Sequence, residues 1–423
     1  MNSFTQKIKL ILADPNLGKR ILFVGLILAL FRVGASIPIP AIDTSTLENF
    51  LINNQFFGLL NIFSGGGLAN LSIFMLGVGP FITASIIMQL LTLIFPNLKE
   101  LYHEEGDAGR RKFSQYSRLL SVPLAVLQGF GLLTLLSQQG VLPGLDLETK
   151  ILAVLIVTAG SVLLMWLGEL INQYGIGNGV SILIFAGIVA SLPGAISQLI
   201  LTFDVSLVPT YLGFIVLSII IVAGVVIVTE GERPIPVTYA KQVRGAKTYG
   251  GISTYLPIRV NNAGVMPIIF ALSILLFPQM IVNLLGQVDN VLLQDISRIL
   301  LNFFNNAWLY SGVYFLLVFG FTFFYSAVTF DPHAIATNLQ KGGAFIPGVR
   351  PGLPTETYIS GLLTRLTFFG ALFLGVIAML PLIMQEITGI ATLAIGGTGL
   401  LIVVSVILDL IKKIDAQVTM REY

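Results

Sequence analysis

No cysteine occurs among the 423 residues, which excludes disulfides, thiol catalysis and thiolate metal sites. Histidine is almost as scarce. His103 and His333 are the two, and both fall between apolar windows, so an intramembrane metalloprotease would lack metal ligands at membrane depth. No G-x-x-x-x-G-K-[ST] phosphate loop is present, which leaves no evident means of hydrolysing a nucleotide. Charge is sparse as well. Charged residues make up 10% of the chain, against about 25% in soluble domains, and that excludes a soluble globular protein. With a net charge of +2, any attraction to acidic partners must come from local clusters.

What is there is apolar. Hydrophobic residues make up 55% of the chain and the mean hydropathy is +0.90, so most of the mass belongs in a bilayer. The 43 glycines suit that class, because small residues let membrane helices approach closely. Apolar windows predict ten spanning helices, at about 21–37, 71–94, 118–137, 151–171, 180–200, 210–229, 264–286, 307–329, 359–384 and 388–411. The first window follows Lys7, Lys9, Lys19 and Arg20, and Val33-Gly34-Ala35 loosely resembles a cleavage site. Its length, and the nine spans behind it, favour an uncleaved first helix.

Basic residues set the orientation. With the N-terminus in the cytoplasm, 19 of the 23 Lys and Arg residues fall on the cytoplasmic side. Only Lys150 and Arg298 fall outside, and Arg32 and Arg365 lie near span ends. That bias predicts cytoplasmic termini. The longest cytoplasmic loops are then 95–117, 230–262 and 331–357, and "IPVTYAKQV" in the second alternates like a strand. Five spans precede the central turn and five follow it, which predicts two pseudo-symmetric inverted halves, residues 1–200 and 201–423, around a central pore. No sequence repeat supports the halves; span count alone suggests them.

Two features bear on chemistry. Glu169, Glu386 and Asp409 lie near span ends, where an acid is more often solvated than functional. A coupled carrier for ions or small solutes, the rival reading, needs ionisable groups deeper than that. The second feature is "FFGLLNIFSGGGLANLSIFMLGVGP" at 56–80, which holds no charge yet is broken by Gly65, Gly66 and Gly67. Residues 56–63 as a helix would reach roughly 12 Å, too short for the roughly 30 Å of hydrocarbon. This is a short apolar piece hinged to a span by glycines, or an ordinary re-entrant loop.

Seven motifs occur in order: "GASIPIPAID", "NIFSGGGLANLSIFMLG", "GDAGRRKFSQYSR", "MWLGELINQYGIGNGVSILIFAGI", "YLPIRVNNAGVMPIIF", "KGGAFIPGVRPG" and "GGTGLLIVVSVILD". Together they closely resemble the SecY family, the channel subunits of the Sec protein translocon. The resemblance implies an all-α polytopic channel, not an enzyme, with no cofactor and no metal. Unfolded preproteins would pass through its centre, and membrane-protein segments would leave it sideways into lipid.

The resemblance also assigns residues. Val78, Ile82, Ile184, Ile269 and Ile402 match the aliphatic pore ring. The piece at about 56–66, with Phe57, Leu59, Leu60, Ile62, Phe63, Gly65 and Gly66, matches the plug that closes the resting pore. Thr83, Gln89 and Phe277 fall on helices that flank the lateral exit, between spans 2–3 and 7–8. Lys241, Arg244 and Lys247 on the 6/7 loop and Arg350 on the 8/9 loop match positions that dock the ribosome or the motor ATPase SecA. His333 stands in "FDPHAIATN" where other members often carry a basic residue. The implied partners are SecE-like and SecG-like subunits, SecA, the ribosome, a preprotein or nascent chain with a signal sequence, and membrane lipids. The implied location is a bacterial plasma membrane, with a thylakoid membrane as the alternative.

Overall fold

The computed structural model describes residues 15–40, 61, 64–103, 105–138, 140, 142, 146–201, 208–239, 242–244, 247–249, 253–285, 294, 295, 297, 298, 300, 306–388 and 391–422. Helices dominate. In chain order they are α1 (Pro15–Ala35), α2 (Gly79–Ile94), α3 (Pro96–His103), α4 (Gly106–Gln138), α5 (Leu147–Tyr174), α6 (Gly179–Leu201) and α7 (Val208–Glu230), then α8 (Met266–Leu285), α9 (Ala307–Thr329), α10 (Pro332–Lys341), α11 (Leu353–Thr388) and α12 (Ala391–Glu422). Each of the ten predicted windows falls on one of these helices. Among the described residues five helices are long and apolar enough to cross a membrane, or six if the bent pair α2–α3 is one span.

Local chemistry explains the breaks. Pro96 removes an amide and forces Phe95 into extended backbone (φ −106°, ψ 110°), so α3 leaves α2 at 116°. Asn306 caps α9, its Oδ1 accepting from Trp308 N (3.1 Å) and Leu309 N (3.2 Å). The α5–α6 turn is the "GIGNG" motif. Gly177 has φ +92°, a Cβ on Gly179 would overlap the Gly168 carbonyl, and Asn178 Oδ1 accepts from Val180 N (3.1 Å) and Ser181 N (3.3 Å).

Span 2 begins later than the windows predict. The apolar run from Leu71 was expected to be helical, but helix starts only at Gly79. Residues 64–78 are instead a chain of turns apart from a single bridge at Ser72, pinned by Ile39 N to Leu71 O (2.8 Å), Ile73 N to Ile37 O (3.1 Å) and Ser72 N to Gly67 O (2.8 Å). Leu68, Leu71 and Met75 are fully buried in a cluster with Leu132, Leu136 and Val157 of α4 and α5. Irregular backbone at membrane depth is tolerated where protein covers it and its amides are paired. Composition alone cannot separate such a covered stretch from a span.

Five short strands form two small sheets: β1 (Glu232–Tyr239), β2 (Gln242–Arg244), β3 (Lys247–Tyr249), β4 (Ser253–Arg259) and β5 (Ala344–Phe345). β1 lies between β4 and β5, antiparallel to both, with Val237 opposite Thr254 and Thr238 opposite Phe345. The sheet therefore ties the 6/7 loop to the 8/9 loop. Ile235 and Val237, two residues apart on one face, bury against Ile258, Ile346 and Ile359.

Candidate functional site

The five aliphatic positions come from four helices. Val78 caps the N-terminus of α2 and Ile82 lies one turn on; Ile184, Ile269 and Ile402 lie on α6, α8 and α12. Their exposures are 3%, 5%, 0%, 1% and 1%, and all five join one continuous apolar cluster. α2 packs against α8, and α6 packs against α12, so the four helices meet in pairs. The side chains are non-directional and uncharged. They can exclude water and ions but cannot select a ligand by hydrogen bonding.

The glycine hinge lies beside this cluster. Gly65 and Gly66 have φ +67° and +82°, a region that side chains rarely adopt. A Cβ on Gly65 would collide with the Phe31 ring, and 3.1 Å away would meet Gly187 Cα of α6. Arg32 Nη1 donates to Gly65 O at 2.9 Å, and Asn61 Oδ1 accepts from Ala69 N at 2.8 Å. Sequence reasoning left Arg32 as a charge near a span end. An arginine this close to a span, where a charge needs a partner, was the available signal. Phe57, Leu59, Leu60, Ile62 and Phe63 lie outside the described residues.

The expected lateral exit is a closed seam here, with α8 packed against both α2 and α4. Thr83 is 6% exposed, and Gln128 Nε2 on α4 donates to its Oγ1 at 3.4 Å. Gln128 was missed, although it is a polar residue in a span just as Thr83 is. Gln89 lies on α2 with Oε1 buried and unpartnered. Phe277 lies on α8, and its side chain is outside the described set.

Glu169 is not solvated, contrary to expectation. It is 8% exposed and paired with Arg118 across the α4–α5 contact. Arg118 faces it from the adjacent helix, which no single-helix pattern reveals. The pair lies outside the aliphatic cluster.

In the 6/7 loop, Arg244 and Lys247 are directly opposite each other in the β2–β3 pair. Lys241 lies outside the described residues. Arg350 is exposed in the turn before α11, and its carbonyl accepts from Thr355 Oγ1 at 2.8 Å. His333 follows the Asp331 cap of α10 and places Nδ1 2.9 Å from Glu356 Oε2. Among the described residues no group of three or more His, Asp or Glu residues could hold a metal ion.

Comparison with known proteins identifies the family. The SecY family model matches residues 72–411. The protein translocase subunit SecY of Thermus thermophilus is 45% identical over 97% of this chain and 94% of that protein. Two solved structures share the fold. One, described as "The plug domain of the SecY protein stablizes the closed state of the translocation channel and maintains a membrane seal", has a TM-score of 0.62 at 21% identity, covering 93% of this chain and 91% of that one. The other, "Sec61 in the Canine ribosome-channel complex from the endoplasmic reticulum", has a TM-score of 0.59 at 20% identity, with the same coverage. The chain belongs to the SecY family of protein translocase subunits.

Proposed function

We propose that this protein is the central subunit of a membrane channel that conducts unfolded preproteins and releases membrane-protein segments laterally into lipid. The observation that carries the reading is the set of five buried aliphatic residues on four separate helices, with no charge among them. Aliphatic side chains close around any chain without reading its sequence, and an empty apolar constriction resists water and ions.

The remaining assignments extend that reading. The segment ending at Gly65 and Gly66 acts as the plug, and the lateral exit runs along the α2/α4–α8 seam between the two halves, 1–200 and 201–423. Thr83, Gln89 and Phe277 border that seam. Lys241, Arg244 and Lys247 on the 6/7 loop and Arg350 on the 8/9 loop, two loops joined through the β1–β5 pairing, engage a partner. Basic residues suit ribosomal RNA phosphates and acidic protein grooves alike, so the ribosome and a SecA-like ATPase are the proposed drivers. SecE-like and SecG-like subunits complete the complex in a bacterial plasma membrane. The protein itself catalyses no reaction; the work comes from the driver.

The test is transport. Purified protein with a SecE-like subunit in vesicles should move a secretory preprotein into the lumen when SecA and ATP are added. Vesicles that instead accumulate a small solute or ion against a gradient, with no preprotein movement, would favour a carrier.

A further inference from the structure

One helical turn to the cytoplasmic side of the aliphatic residues, polar side chains join the apolar lining. Ser181 precedes Ile184 on α6, Val265 and Met266 precede Ile269 at the start of α8, and Ser405 follows Ile402 on α12. With both termini cytoplasmic, each of these three-to-four-residue steps leads toward the cytoplasm, by about 5 Å. All of them line one cavity of about 210 Å³, joined by Asn261 and Asn262 from the segment before α8.

Three polar atoms on this wall are buried without a partner: Asn261 Oδ1, Asn262 Nδ2 and Ser405 Oγ. Asn261 and Ser405 are each 5% exposed. The Asn261 amide nitrogen already donates to Gly264 O at 3.2 Å, which leaves its oxygen as the open valence. Of the four charged residues on the same wall, Arg259 is exposed and the other three pair locally. Lys412 Nζ donates to Thr229 O (2.9 Å) and pairs with Glu230 (3.0 Å), and Lys413 pairs with Asp409 (2.7 Å). Beside the Arg259 charge, the buried part of the wall offers a chain one amide acceptor, one amide donor and a hydroxyl that serves as either.

We propose that this polar tier binds the main chain of an extended polypeptide just before it enters the aliphatic constriction. The inference rests on the protein-conducting reading above. Backbone N–H and C=O groups are the features common to every polypeptide, so a site that pairs with them stays blind to sequence. Such a chain must also shed water before meeting aliphatic side chains, and an unpaired amide there is costly. Asn262 donates to a chain carbonyl, Asn261 accepts from a chain amide, and Ser405 takes whichever is left. The tier replaces lost water one step ahead of the constriction.

The test uses the full complex in vesicles and a secretory preprotein stalled by a folded C-terminal domain, with single cysteines along its length. Asn262→Cys and Ser405→Cys should form disulfides with the stalled chain. Their partners should lie about one or two residues nearer its C-terminus than the partner of Ile402→Cys, as the axial step and extended-chain rise require. Asn262→Leu with Ser405→Ala should slow chain movement about tenfold, the scale of two lost net hydrogen bonds. Resting conductance should stay unchanged, and Asn262→Gln with Ser405→Thr should restore the rate. Unchanged movement in the Leu/Ala pair would mean the cavity holds only water. Crosslinks at Ile402 without any at Asn262 or Ser405 would overturn the tier alone. Loss at all three positions would overturn the channel reading with it. If the Leu/Ala pair fails to insert, the cysteine variants decide.

Discussion

Gly65 and Gly66 are sequence neighbours that should respond differently to the same change. Both have positive φ, so a Cβ costs roughly 1–2 kcal/mol at either one. Only Gly65 faces the Phe31 ring and the α6 backbone; at Gly66 the nearest atom to an added Cβ is Arg32 Nη1 at 3.6 Å. Gly65→Ala should therefore lower the thermal unfolding temperature in detergent clearly more than Gly66→Ala. Equal losses would mean the hinge does not pack as described. At Ile402 the relevant property is polarity. Ile402→Val removes one methylene from a residue 1% exposed, a change worth about 0.5–1.5 kcal/mol, and should leave transport close to normal. Ile402→Asp or Ile184→Asp should raise resting ion conductance in planar bilayers, because a carboxylate draws water into the constriction. A tight seal with Asp at both positions would remove these residues from the pore.

Deleting residues 57–65 should raise resting ion leak while the purified protein keeps its helical content, because the segment seals rather than scaffolds. An unchanged closed state would end the plug assignment. The sheet makes a second element-scale prediction. β5 joins the 8/9 loop to β1 of the 6/7 loop, so a partner bound to one loop is held against the other. Arg350→Glu should reduce SecA-driven transport or ribosome binding by about tenfold or more, the scale of placing like charges in contact, and should leave membrane insertion normal. If both partners engage normally, Arg350 serves only to orient the protein in the membrane. The helices were legible in the sequence because a bilayer demands about twenty apolar residues and leaves few alternatives. The β1–β5 pairing was not legible, since more than a hundred residues separate its strands. The start of α2 was hidden for a different reason. Buried turns at 64–78 are as apolar as a span, and only their hydrogen bonds to residues 37 and 39 distinguish them.

At the scale of the whole molecule, the candidate site was legible only in part. The aliphatic positions are ordinary span residues when taken one by one, and the family resemblance singled them out. The structure adds that they are all buried in one cluster drawn from four helices. It also supplies what one-dimensional reading could not: Gln128 against Thr83, Arg118 against Glu169, and Arg32 on the hinge carbonyl. Each joins segments far apart in the sequence, set by packing rather than by spacing along one chain segment. The central claim is that a polypeptide passes between these helices through their shared aliphatic level. Because the chain has no native cysteine, single cysteines at Val78, Ile82, Ile184, Ile269 and Ile402 can be compared directly with one at Leu26, which is 53% exposed on α1. A preprotein stalled in transit should crosslink to the first five and not to Leu26. Crosslinks spread equally over all six would mean that the chain does not travel through the centre of this helix bundle.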